Sequence, residues 1–275
     1  MLMSAHCLMQ AQGVKLDTAG LKMINIKGDS LKGVKTETES YQRIIGSVII
    51  THEETTMTCD SAHFYFDKNM VEAYSNVNIT RSNGTNAHGD YIKYTGDNNT
   101  ALMKGNVSII DGTNTLQTDQ LTYNLKTKIG KYYQNGTLQN DETTVSSREG
   151  TYNGFTKQSW FRGDVVITNP KYNIESKELT YNTNSKVIKF LDESTIIGES
   201  STVHTTAGTY DSKNEVASFT KRTTVESEDQ IITGNTLNYN DKTGYGKAVG
   251  DVIIIDVKND SRITSRVAEY NKLTG

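Results

Sequence analysis

The sequence predicts an all-β protein folded as an open antiparallel roll, on three observations: a tyrosine that returns every 29 residues, two alternating words between returns, and turn residues after each word. The tyrosines are Tyr65, Tyr94, Tyr123, Tyr152, Tyr181, Tyr210 and Tyr239, and Tyr270 follows after 31 residues. Eight copies of one unit therefore account for nearly the whole chain.

The first word surrounds the tyrosine: HFYFD, IKYTG, LTYNL, GTYNG, LTYNT, GTYDS, LNYND, AEYNK. An apolar residue usually stands seven positions earlier, as at Leu116, Val145, Ile174, Val203, Ile232 and Ile263. A mostly small residue stands five earlier: Gly89, Thr118, Ser147, Ser176, Thr205, Gly234 and Ser265. The second word is Gly-x-Val-x-Ile, at Gly46, Gly105, Gly163 and Gly250. It is degenerate at Ser75, Glu193 and Arg222 and weak around Gly136. Both words alternate apolar and polar, the period of a half-buried strand. Polar turns such as NLKTK, NTNSK, SNGT and DGTN separate them. Turns this short join antiparallel neighbours, so the chain reads as a zigzag of about sixteen strands. A parallel β-helix is the alternative, although it more often shows three turns per coil.

The recurring glycine carries the shape. Glycine eases a sharp bend in mid-strand, and a bend at one place in every long strand creases the sheet along a line. The creased sheet becomes a flattened roll with the apolar positions inside.

Composition removes other classes. Apolar residues are 35% and charged residues 22%, with 15 Tyr and a net charge of −3, which suits thin sheets with one wet face and not a disordered chain. No basic stripe is present for nucleic acid. Five histidines (His6, His52, His63, His88, His204) show no metal-ligand spacing, and no nucleophile elbow, phosphate loop or dinucleotide fingerprint occurs. Asp-rich turns lack the regular spacing of calcium-binding repeats. Cys7 and Cys59 are too few for a disulfide framework. The expectation is a protein that is no enzyme, with no catalytic residues, metal or cofactor. Residues 1–12 resemble the remnant of a signal peptide, and residues 13–275 form a single repeat domain. The final repeat stops in mid-unit, as expected of a piece of a longer chain.

The pair of words, G-N-V-x-I followed by I-x-S-x-x-L-x-Y, resembles the OstA-like family, which includes LptA, LptC and the N-terminal domain of LptD. The resemblance covers about residues 28–275 and is best at Gly105–Tyr123, Gly163–Tyr181 and Gly250–Tyr270. It is of the kind found in Bacteroidetes. It implies a β-taco that carries lipid A acyl chains of lipopolysaccharide across the periplasm toward the outer membrane. It also implies partnership with other Lpt-type rolls by edge-strand pairing, and head-to-tail self-association. The lipid-binding residues it selects are the apolar inward positions: Val48, Ile50, Val77, Ile79, Val107, Ile109, Leu121, Val165, Ile167, Ile174, Leu179, Val203, Val225, Ile232, Leu237, Val252 and Ile254. The residues alone leave open a second reading, a structural or adhesive β-solenoid with a sealed core. They also leave the tyrosines as either a packing ladder or ligand contacts.

Overall fold

The computed structural model describes residues 24–271, so residues 1–12 lie outside it. The described chain is all-β apart from one 3₁₀ turn at Phe66–Lys68. It divides into two compact units: residues up to Gly112 with Asp119–Leu125, and Thr113–Thr118 with the chain from Lys126 onward.

The first unit holds β1 (Ile24–Lys27), β2 (Ser30–Lys35), β3 (Ser40–His52), β4 (Thr55–Tyr65), β5 (Met70–Arg81), β6 (Asn86–Thr95) and β7 (Thr100–Asp111). β3 to β7 pair consecutively and antiparallel. β8 (Asn114–Asn124) contributes to both units. The second unit continues with β9 (Ile129–Tyr132), β10 (Gly136–Asn140), β11 (Thr143–Ser147), β12 (Glu149–Asn153), β13 (Gln158–Asn169) and β14 (Tyr172–Asn182). It goes on through β15 (Val187–Phe190), β16 (Ser194–Gly198), β17 (Ser201–Thr205), β18 (Gly208–Asp211), β19 (Val216–Phe219) and β20 (Thr223–Ser227). It closes with β21 (Gln230–Gly234), β22 (Thr236–Asn240), β23 (Tyr245–Asp256) and β24 (Ser261–Asn271).

The described residues thus hold 24 strands where about sixteen are expected, and the crease explains the surplus. Where Gly-x-Val is intact, the strand continues through a bulge of two left-handed residues. Gly163 (φ 74°) and Asp164 (φ 51°) shift the register between Arg162 and Val165, and Gly250 (φ 78°) with Asp251 (φ 46°) do the same before Val252. Glycine takes this conformation without a Cβ clash, and Asp or Asn tolerates it at the next position. A side-chain clip 16 residues back holds the second bulge residue: Asn106 to Asp90 (2.8 Å), Arg148 to Asp164 (2.5 Å), Asn235 to Asp251 (3.0 Å). The degenerate word at Ser75 keeps the same bulge, with Ser75 (φ 61°) and Asn76 (φ 51°) inside an unbroken β5, whereas around Glu193, Arg222 and Gln134 the strand breaks in two.

The small residues five before the tyrosine line the same crease. Ser147 and Ser176, and Ser194 beside them in the degenerate word at Glu193, each donate to a carbonyl two residues away, at 2.8, 3.1 and 2.8 Å. Ser176 and Ser194 hydroxyls also meet at 2.8 Å, as do Thr205 and Thr223 at 2.9 Å. Backbone groups freed by the bend are thereby satisfied inside a buried fold line.

In the second unit the crease gives two facing layers. One contains the tyrosine words and the other the Val-x-Ile words. β14 and β23 run through both layers, so the ladder closes into a ring of ten strands: β14, β15, β18, β19, β22, β23, β21, β20, β17 and β16. The sequence predicts an open roll; the ring arises because continuous strands flank a stretch in which every strand is cut at the crease. Opposite the crease the layers meet only through turns and side chains.

The tyrosine line is real in the second unit. Tyr152, Ser159, Tyr181, Ile188, Tyr210, Ala217, Tyr239, Gly246 and Tyr270 are successive cross-strand partners. In the first unit the line passes through Phe64, Val71, Tyr94 and Ala101, not Tyr65, which pairs with Met70. The hairpin from β5 to β6 is one residue longer than those from β3 to β4 and from β13 to β14, so counting 29 back from Tyr94 lands one place off the row.

Candidate functional site: a continuous apolar ladder

Val-x-Ile and the residue seven before each tyrosine are separate sequence features, and folding makes them one surface. Leu116, Leu138, Val145, Ile167, Ile174, Ile196, Val203, Val225, Ile232, Ile254 and Ile263 are consecutive cross-strand partners in the second unit. Every rung is Leu, Val or Ile. The first unit has its own ladder: Ile26, Ile50, Met57, Ile79, Ala87 and Ile109. β-Branched side chains suit such rows because they are stiff and pack well on a pleated surface.

The facing layer of the second unit supplies Tyr132, Gly150, Phe161, Leu179, Phe190, Gly208, Phe219, Leu237 and Ala248, also in register. Both layers contribute to one hydrophobic cluster. Of the predicted lipid-binding residues there, Val165, Ile167, Ile174, Leu179, Leu237 and Val252 are buried, and Val203, Val225, Ile232 and Ile254 are half-buried against them. In the first unit Val48, Ile50, Val77, Val107 and Leu121 are buried, while Ile79 and Ile109 are half-buried. All seventeen predicted positions therefore face an interior. Five of them sit at the crease and not on the ladder: Val48 opposes Cys59, Val77 opposes Gly89, Val165 opposes Ser176 and Val252 opposes Ser265, with Val107 at the equivalent place.

The tyrosine hydroxyls do not project to solvent as a strip of contacts. Tyr181 is buried and donates to Asn140 at 3.0 Å, and burial pushes its phenol pKa up to about 12. Tyr210 packs edge-on against Tyr172 at 5.2 Å. The row is chiefly a packing ladder, with Tyr270 exposed at β24. Two surface clefts lie elsewhere. One of about 750 Å³ is lined by Glu175, Thr195, His204 and Thr224 on the outer face, and one of about 250 Å³ by Lys35, Tyr41, Phe66 and Asp67. No ladder residue lines either.

Two features escape sequence reasoning. On the outer face of the first unit, Glu72 accepts hydrogen bonds from Tyr65 (3.1 Å), Tyr74 (2.7 Å) and Tyr91 (2.7 Å). Burial and then the neighbouring carboxylate push the Tyr65 phenol up to about 12. In the second unit, ion pairs join turns of the two layers: Lys186 to Asp141 and Lys171 to Glu215, each at 2.5 Å. Among the described residues no group of His, Cys, Asp and Glu could hold a metal, and no helix is long and apolar enough to cross a membrane.

A family model described as OstA-like protein matches residues 21–178, more than half of the chain. The chain belongs to the OstA-like family. A second family model, described as lipopolysaccharide-assembly, LptC-related, matches residues 130–228 of this OstA-like chain. Among solved structures it is similar to LptH, the LptA-homologous periplasmic component of the lipopolysaccharide transport device of Pseudomonas aeruginosa. The identity is 20%, the match covers 40% of this chain and 80% of that one, and the TM-score is 0.36. No curated protein matches.

Proposed function

We propose that this OstA-like protein is a non-enzymatic carrier that holds acyl chains of lipopolysaccharide or lipid A along its apolar ladder. It would work in the periplasm as part of a bridge toward the outer membrane, with the two layers parting as an open roll when loaded. The observation that carries the reading is the unbroken row of aliphatic rungs through the second unit. Each CH₂ moved from water onto such a wall gains about 0.8 kcal/mol, so a twelve-carbon chain gains several kcal/mol after ordering costs. Successive rungs of similar chemistry offer nearly equal energies, which favours sliding over capture in one pocket. The family match and the lipopolysaccharide-assembly model support the same substrate class.

Edge strands would link such carriers. A zigzag sheet leaves unpaired N–H and C=O groups at its edge strands, and joining unlike edges makes a contact that propagates head to tail. The association would be micromolar at best, with Arg262 and Arg266 on β24 weakening it.

A second reading has its own observation. Ile167, Ile174 and Leu179 are 0% exposed, as in a sealed structural core. The deciding experiment is photo-crosslinking to a lipid probe from position 167 and, as the control, from Val166 on the outer face, together with mass spectrometry of lipid retained through gentle extraction. The carrier reading expects crosslinking from 167 only, with bound lipid. Equal crosslinking from both positions, or no lipid at all, would support the sealed solenoid.

A further inference from the structure

We propose that lipid enters the second unit sideways, through the mouth between the two layers opposite the crease, and that Lys186–Asp141 and Lys171–Glu215 are the latch that holds the mouth shut. The inference rests on the carrier reading for its ligand, an acyl chain with a bulky polar head, but the latch itself is argued from geometry.

The mouth is where turns of the tyrosine layer meet hairpins of the Val-x-Ile layer. No backbone ladder joins the layers there; the joining is done by side chains. Lys186, in the turn between β14 and β15, pairs with Asp141 at 2.5 Å in the hairpin between β10 and β11. It also donates to Asn140, whose amide oxygen accepts the Tyr181 hydroxyl at 3.0 Å from within the core. One turn further along, Glu215 pairs with Lys171 at 2.5 Å, and Tyr172 packs on Tyr210 at 5.2 Å just inside. Each ionic contact thus stands beside a tyrosine of the interior, Tyr181 through its hydrogen bond to Asn140 and Tyr172 through its packing on Tyr210.

The charges point to a designed pairing and not to chance surface contacts. Lys128, Lys157, Lys186 and Glu215 occupy the same left-handed position (φ 57–61°) in successive turns, 29 residues apart. Glu215 reverses the sign that the three lysines keep. Across the mouth the partner reverses too: Asp141 faces Lys186, and Lys171 faces Glu215. The two partners are themselves 30 residues apart, one repeat. A reversal matched on both sides keeps attraction at both points.

Sideways access also answers a physical problem. The interior is closed by Val145, Ile167 and Ile174, so a lipid threading end-first would have to drag its hydrated head through apolar surface. A slot opening along the mouth lets the chain move inward while the head stays in water. Half-exposed ion pairs are individually weak, which suits a latch that must open repeatedly.

The test uses the chain with Cys7→Ser and Cys59→Ser and a reporter, Val145→Cys, on the sealed part of the ladder beside the latch. N-Ethylmaleimide labelling of this cysteine reports opening without any lipid. Lys171→Glu with Lys186→Glu should label about tenfold faster, because attraction becomes repulsion at both points. Adding Asp141→Lys and Glu215→Lys should return the rate to that of the parent. A short bis-maleimide bridge across Asp141→Cys and Lys186→Cys, with Val145 retained, should slow uptake of dodecyl phosphate. Unchanged labelling in the reversed variant, failure of the swapped charges to restore it, or undiminished uptake by the bridged protein would overturn the latch. Labelling that follows the charges while no variant takes up dodecyl phosphate would uphold the latch and reject the carrier reading.

Discussion

The ladder of the second unit is filled differently along its length. Around Val145, Ile167 and Ile174 the facing layer offers Phe161, Leu179, Tyr181 and Phe190, and the rungs are at most 1% exposed. Around Val203, Val225, Ile232 and Ile254 the facing layer offers Ala217, Gly246 and Ala248 among Tyr210, Phe219, Leu237 and Tyr239, and the rungs are half-buried. One repeat, one backbone path and one crease thus produce a sealed stretch and a half-open stretch. The difference is side-chain volume on the opposite wall: interiors stay close-packed only where both walls supply atoms. The sealed stretch holds the unit together; on the carrier reading, the half-open stretch is where a chain would be accepted.

Substituting the two stretches alike should separate these roles most strongly. Ile167→Asp puts a lone carboxylate between close-packed walls, at a cost of several kcal/mol, enough to unfold the second unit. Ile232→Asp, with water at hand, should cost about 1–2 kcal/mol and leave the protein folded, yet remove lipid crosslinking along the half-open rungs. Denaturant midpoints measured beside crosslinking yield would decide it. Equal losses of stability at both sites would mean that the stretches do not differ.

Filling the half-open stretch should do the reverse. Ala217→Phe adds an aromatic ring where the wall is small, with a change in stability of about 1 kcal/mol or less in either direction. Lipid retention by the second unit should drop sharply, because the added ring occupies the chain's place. Unaltered retention with an unaltered midpoint would place the bound chain elsewhere.

Much of this was legible in the residues. Gly163 and Gly250 marked the bends that appear as bulges in continuous strands, but the breaks at Glu193 and Arg222 were not read, and Ser75–Asn76 shows that a strand can also pass the bend without glycine. Period-two alternation picked out an inward face, and the seventeen apolar positions on it are buried or half-buried. Filling was not legible: the exposure of Ile232 depends on Gly246 and Ala248 across the interior, and alternation says nothing about the opposite wall. Tyr65 was misplaced because a one-residue longer hairpin shifts register while the spacing of tyrosines stays at 29. The latch was hidden for a similar reason. Lys186 and Asp141 are 45 residues apart in two turns that read only as solvated loops.

The smallest expected effect is on acid stability, and it bears on the sealed stretch, beside which the latch stands. The hydrogen bond and charge of Lys186 hold the Asp141 carboxyl below its ordinary range, and Lys171 does the same to Glu215. A carboxyl whose pKa is lowered by folding contributes stability above its unfolded pKa, and that contribution fades as pH falls through the lowered value. Lys171 has its pKa raised by the same contact, so its share is complete below its ordinary range and fades only at high pH. Between these limits the contribution should be flat. Lys171→Gln with Lys186→Gln should therefore lower the denaturant midpoint by a constant amount near neutrality. The gap to the parent should shrink as pH falls below about 4, where ordinary carboxylates begin to protonate. Both contacts are solvent-screened, so added salt should shrink the same gap at neutral pH. A gap that persists unchanged at about pH 3 and in high salt would show that the lysines act through packing of their alkyl stems, and the ionic latch would lose its support from stability.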